Sequence, residues 1–288
     1  MRILVAVDGS DESFHAVRAL EHLARAESVI VMNALDVPRL AYPMGGEPTA
    51  LEDFSLSIQE VMREDSEHLL TRVASLLPMN TGPVSKQIGT GTPAEAILAA
   101  ADKEKADLIV LGSRGLGPVK ELLLGSVSHR VVTHAPCPTL VVNRPMRALR
   151  RILMAVQGPE DAAALTKFLA AKPFKETAEI MVVTVTPTAQ PLFPQGFAKV
   201  DDLIEKTVVE ARAFVEATAS ALSTLQYSAK GYILMGAPAP AILQEAEASD
   251  PDLILAGSHG RRGVTRFLLG SVLHTILHRT PCPLLIVR

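Results

Sequence analysis

The sequence predicts an α/β protein of two tandem doubly wound domains, each a five-stranded parallel sheet in the order 3-2-1-4-5 flanked by helices. Three observations carry that prediction. A glycine-serine frame occurs twice at one fixed offset. Short, continuously apolar runs alternate with amphipathic helical segments through both halves. Those runs end at turn residues, which suits strands covered on both faces.

The first frame reads Gly112-Ser113-Arg114-Gly115, nine residues, then Gly125-Ser126; the second reads Gly257-Ser258-His259-Gly260, nine residues, then Gly270-Ser271. Each residue of the second frame lies 145 positions beyond its counterpart, and Cys137 and Cys282, each inside a Pro-Cys-Pro, keep the same offset. A single G-x-x-G is commonplace. A spaced frame that recurs at one offset marks a duplication, so the 288 residues are expected to form domains 1–144 and 150–288. The segment Asn143 to Arg150, with Arg144, Arg147 and Arg150, is the expected linker.

The strands follow in order. Arg2 to Val7 and Arg151 to Val156 read as the first strand of each half, at an offset of 149, so a four-residue length difference separates them from the frames. Ser28 to Met32 and Glu179 to Val183 are second, and Val84 to Ile88 and Ala229 to Leu234 third. Asp107 to Leu111 and Asp252 to Ala256 run into the first glycine of each frame, and Thr139 to Val142 and Leu284 to Val287 come last. Helical segments lie between them at Asp11 to Ala26, Phe54 to Leu77, Ala94 to Lys105, Asp201 to Leu222 and Ala239 to Ala248. Thr92-Pro93-Ala94-Glu95 has the spacing of a capping box with proline at the first helical position. Its counterpart, Ala237-Pro238-Ala239-Pro240, keeps the proline and lacks the box.

Composition excludes several classes. Net charge is −3 with the signs interspersed, which argues against coating DNA or RNA, and the absence of Trp leaves no stacking platform for single strands. No run reaches the 18 or more apolar residues of a membrane span, and the first residues do not read as a signal peptide. A cytoplasmic protein is expected. The two cysteines read as duplicated packing positions, not as a disulfide framework or a metal cluster.

In a doubly wound sheet, ligands bind beyond the carboxyl ends of the strands at the switch point. Asp8 ends the first strand and Gly112 ends the fourth, so the two should meet there. Glycine past a strand end admits close approach of a ligand. Gly125-Ser126 and Gly270-Ser271 each open a helical run whose N-terminus presents free N–H groups and partial positive charge. Together these make an anion site, phosphate above all. The frame taken alone also fits a tight loop with a serine cap, and duplication does not separate the two readings. A Walker A loop is excluded because no Gly-Lys dipeptide occurs. Gly89-Thr90-Gly91-Thr92-Pro93-Ala94 matches a dinucleotide fingerprint, but it follows the third strand, and Leu234 replaces its first glycine in the second half.

The frame G-x-x-G-x9-G-S, the opening Val5-Ala6-Val7-Asp8-Gly9-Ser10 and the closing Ala135-Pro136-Cys137-Pro138-Thr139-Leu140-Val141-Val142 resemble the universal stress protein family. The chain is similar to its tandem form over nearly its whole length. The resemblance implies ATP binding where the frame is complete, with Mg²⁺ on the phosphates. It also implies pairing of family domains through their fifth strands, hence an internal pseudo-dimer of the two halves and a homodimer as a further assembly. Carried over by position, Gly112, Gly115, Gly125 and Ser126 match phosphate and ribose contacts, with Val127 beside them; Arg114 and His259 share one slot of the frame and read either as polyphosphate contacts or as exposed loop charge. Asp8 matches the adenine-side acid, and Ala34 the backbone contact to adenine. In the second half Gly257, Gly260, Gly270, Ser271 and Val272 repeat the frame and Val185 takes the adenine-side position, while Gln157 replaces the acid.

The implied function is that of a nucleotide-responsive stress or regulatory protein. Three alternatives stay open at this level: a nucleotide-free dimerisation or regulatory module, a slow ATPase, and a nucleotidyl-transfer enzyme. No catalytic triad signature, general base or phosphoryl-transfer lysine is readable. His129 and His274 are equivalent and read as helix-packing residues. The Pro- and Gly-rich segments Asp36 to Leu51 and Pro187 to Val200 differ between halves and are candidate lids or partner surfaces.

Overall fold

The structure is a computed structural model that describes the chain apart from residues 37–47, 80, 117–123, 187–196, 226 and 259–268, with side chains left undescribed at 48–55 and 197–204. The chain divides into two compact units, Met1–Glu21 with Arg25–Cys137, and His22–Ala24 with Pro138–Arg288.

The first unit runs β1 (Arg2–Ala6), α1 (Asp11–Ala19), β2 (Ser28–Leu35), α2 (Pro48–Leu76), β3 (Val84–Thr90), α3 (Pro93–Lys103), β4 (Leu108–Gly112) and α4 (Ser126–His134). All strand pairing within it is parallel. β1 lies between β2, where Leu4 faces Ile30, and β4, where Leu4 faces Ile109, and β3 pairs with β2. The continuous apolar runs exist because both faces are covered: Ile3, Leu4, Val5, Ile109 and Val110 are essentially inaccessible. The switch point therefore falls between β1 and β4.

In the second unit β5 (Thr139–Val142) precedes β6 (Arg151–Ala155), α5 (Pro159–Ala170), β7 (Glu179–Thr186), α6 (Phe197–Thr224), β8 (Ser228–Met235), α7 (Pro238–Ser249), β9 (Leu253–Gly257), α8 (Ser271–Arg279) and β10 (Leu284–Val287). Pairing is parallel for β8 with β7, β7 with β6, β6 with β9 and β9 with β10, and antiparallel for β10 with β5. Helix α5 has no counterpart in the sequence reading.

Helix starts follow local chemistry. At the end of β1 the chain turns through Gly9 at φ +87°, a conformation that other residues resist. Ser10 then caps α1, its hydroxyl accepting from the Ser13 N–H, with Asp11 and Glu12 in the first turn facing the positive helix end. The helix expected over Asp11 to Ala26 ends earlier: α1 stops at Ala19 and a 3₁₀ turn, Leu20–His22, follows. The capping box at Thr92 does not form. Thr92 is the N-cap and Pro93 opens the helix, but the Thr92 side chain makes no cap bond. Glu95 is drawn instead to Arg130 on α4, at 2.8 Å. Among the described residues no helix is long and apolar enough to cross a membrane.

Candidate functional site

At the carboxyl ends of β1, β2 and β4 a cavity of about 830 Å³ opens, within the size range of small-molecule sites. Asp8, Ala34, Gly112, Arg114, Gly115, Gly125, Ser126 and Val127 all line it. The structure thus brings together every first-half residue that the sequence assigned to the nucleotide site. They come from four stretches of chain: the β1–α1 turn, the end of β2, the loop after β4, and the start of α4.

The residues on either side of the loop after β4, 112–116 and 125–128, are tied to their neighbours by hydrogen bonds. The Asp8 carboxylate accepts from the Ser10 N–H (3.0 Å) and hydroxyl (2.6 Å) through Oδ1, and from the Leu116 N–H (3.2 Å) through Oδ2. The Ser10 hydroxyl also lies 3.3 Å from the Arg114 carbonyl oxygen. On the other side the Gly125 N–H donates to the Ser113 carbonyl (2.8 Å), and the buried Ser128 hydroxyl donates to the Gly112 carbonyl (2.7 Å). The N-terminal end of α4 is thereby locked against the end of β4, with Gly125 as its N-cap and the frame serine, Ser126, as its first residue. Gly112 is glycine for a packing reason: a Cβ there would sit 2.7 Å from the Glu12 carbonyl carbon, so α1 and β4 approach at backbone distance.

Charge in the cavity is asymmetric. Asp8, Asp11, Glu12 and Asp36 line it, against a single described cation, Arg114. Arg114 donates to Glu12 at 2.6 Å, with the Glu12 side chain only 18% exposed. Next to Ala34, buried Asn33 donates through its amide to the Val7 carbonyl (2.7 Å) and accepts from the Ser66 hydroxyl (2.6 Å), which ties α2 to the ends of β1 and β2.

Ser10, Glu12, Asn33 and Ser128 were not singled out from the sequence. Ser10 carries a readable signal, a hydroxyl residue at the Asp-Gly turn just before a helix. Glu12, Asn33 and Ser128 carry none, because their partners lie far off in the chain.

In the second unit Gln157 lies two residues past β6 and its N–H donates to the Asp161 carboxylate at 3.4 Å. Asp161 stands where Glu12 stands in the first unit, and its carboxylate lies against Gly257. Gly270 is the N-cap of α8, with Ser271 and Val272 in the first turn, and Val185 lies in β7. Gly260 falls outside the described residues, as does most of the two candidate lid segments.

The model of the universal stress protein family matches twice, over residues 1–143 and 148–288. A universal stress protein of Thermus aquaticus is 41% identical over 144 residues, 49% of this chain and 96% of that protein. One of Mycolicibacterium smegmatis is 25% identical over 99% of this chain and 96% of its own length, so the two-domain arrangement recurs. The crystal structure of a universal stress protein from Archaeoglobus fulgidus covers 100% of this chain and 96% of its own, with a TM-score of 0.66 at 21% identity, a likeness of fold.

Proposed function

The chain belongs to the universal stress protein family, and on that premise we propose that its first unit binds ATP and that the protein acts as a nucleotide-responsive stress or regulatory protein. The observation that carries the proposal is the convergence of the whole first frame, Asp8 and Ala34 on one cavity of about 830 Å³. Loop glycines offer their backbone to phosphates, and the N-terminus of α4 points the free N–H groups of Ser126 and Val127 toward the same side. The apolar ends of β1 and β2, Ala6, Val7 and Ala34, suit an adenine ring.

Mg²⁺ fits this wall: it takes oxygen ligands from one or two carboxylates together with the phosphates, and Asp11 offers such oxygens. Four carboxylates facing a polyanion also favour a nucleotide that arrives with its cation. The described lining includes no lysine, and its one arginine is engaged by Glu12, so we read the site as holding nucleotide and passing its occupancy on to the frame loop. A cytoplasmic setting goes with that ligand. The rival reading is a nucleotide-free regulatory module in which the frame serves the fold alone.

The test is to denature the purified protein and chromatograph the released nucleotides, then titrate the emptied protein with Mg-ATP by calorimetry. Release of adenine nucleotide, or saturable binding with a thermal shift, is the expected result. No release and no shift at saturating Mg-ATP would leave the regulatory module standing. Stoichiometry decides the second unit: one nucleotide per chain assigns binding to the first unit, two include the site headed by Gln157.

A further inference from the structure

We infer that Asp8 is a positioning residue for the frame loop, acting on nucleotide through that loop and not as a direct contact to the base. This rests on the ATP reading of the site and goes past it, since position along the chain assigns Asp8 to the adenine side.

Three observations converge. Each carboxylate oxygen is already engaged: Oδ1 by the N–H and hydroxyl of Ser10, and Oδ2 by the Leu116 N–H. The bond to Leu116 spans 108 positions and joins the end of β1 to the frame loop just past its second glycine. And Gly115 packs against the same oxygen so closely that a Cβ there would collide with Asp8 Oδ2. The second glycine of G-x-x-G is therefore glycine because the carboxylate needs the space beside it. The ionised carboxylate is the side chain for this job: it only accepts, it takes several N–H and O–H donors at once, and such charge-assisted bonds are the stronger kind.

An amide cannot replace it. Asn or Gln would turn an NH₂ group toward one of these donors. Gln157 is that replacement in the second half, where Pro159 stands in the place of Ser10 and supplies neither the N–H nor the hydroxyl that Asp8 accepts.

Loop position matters to phosphate more than to base. In Asp8→Asn, ATP affinity is expected to fall about tenfold, the worth of one charge-assisted hydrogen bond, while adenosine affinity stays within about twofold. The Leu116 amide is expected to exchange with solvent more slowly in the unliganded wild type than in Asp8→Asn. Stability supplies an independent cycle: Gly115→Ala lowers the melting temperature in the wild type and is nearly silent in an Asp8→Ala background, because the oxygen it strikes is gone.

Equal loss of ATP and adenosine affinity in Asp8→Asn, with Leu116 exchange unchanged, would overturn the inference and return Asp8 to the base. Additive effects of Gly115→Ala and Asp8→Ala would also overturn it. If wild-type protein binds neither ATP nor adenosine, the ATP reading fails by itself, and Leu116 exchange and the stability cycle still decide whether Asp8 latches the loop.

Discussion

Replacing Gly112 with alanine tests the close approach on which the site is built. The added Cβ would lie 2.7 Å from the Glu12 carbonyl carbon and 2.9 Å from both Glu12 Cβ and Ser13 N, all in the first turn of α1. Carbon atoms rest at about 3.5–4.0 Å, so the start of α1 must retreat by roughly 1 Å. Overpacking of that kind costs about 1–3 kcal/mol, and the stiffer unfolded chain returns about 0.4–1 kcal/mol, which leaves a net loss of roughly 1–2 kcal/mol. For a unit of this size that is a fall in melting temperature of about 3–6 °C. Binding suffers as well, because the same turn carries Ser10, which holds Asp8. Gly257→Ala is the internal control. There the Cβ meets the side chain of Asp161, 2.6 Å from Oδ1, which can rotate away, so the loss should stay below about 1 kcal/mol. Scanning calorimetry of both variants in the full chain, followed by ATP titration, reads the difference. Equal shifts for the two, or a Gly112→Ala protein as stable and as tight for ATP as the wild type, would refute the reasoning.

Two further outcomes follow from the same contacts. Glu12→Gln removes one carboxylate from the cavity and releases Arg114 from its 2.6 Å ion pair, so ATP should bind up to about fivefold more tightly, in line with a part-exposed pair worth about 0.2–1 kcal/mol; weaker binding by calorimetry would mean that Glu12 holds Arg114 where the phosphates need it. Burial pushes the Cys282 thiol up to about 11 from an ordinary 9.0, against smaller opposing effects of the Thr280 hydrogen bond, Arg144 and the Ile254 backbone. The folded state then keeps a proton that the unfolded state gives up between pH 9 and 11, so stability is fully present below pH 9 and falls by roughly 2–3 kcal/mol across that window. Denaturant unfolding of wild type and Cys282→Ala as a function of pH isolates this contribution, and parallel curves for the two would remove it.

Much of the molecule was legible in the chain. Runs such as Ile3-Leu4-Val5 and Leu108-Ile109-Val110 are apolar throughout because parallel strands are covered on both faces, a requirement that each residue meets locally. Start signals are local too, and Ser10 before Asp11 and Glu12 opens α1 as its chemistry dictates. Where a local signal had a distant competitor it failed: Glu95 has the spacing to close a capping box, yet it pairs with Arg130, 35 positions on. Helix α1 likewise stops at Ala19 although nothing between Ala19 and Ala26 breaks a helix.

The sequence by itself determined the duplication, the strand–helix alternation, and which glycines and which serine stand at the switch point of the first unit, because all of these are properties of spacing along the chain. Tertiary structure alone decided what the site's charged groups do. Asp8 reaches Leu116 across 108 positions, Arg114 reaches Glu12 across 102, and Ser66 reaches Asn33 across 33. Such pairs leave no periodic trace, since each depends on two strands lying side by side in register and on the angle at which a helix leaves its strand. The glycine-serine frame could therefore be read as an anion site from the chain, but the acid across from it acquired its role, a latch on the frame loop, only once β1 and β4 were adjacent.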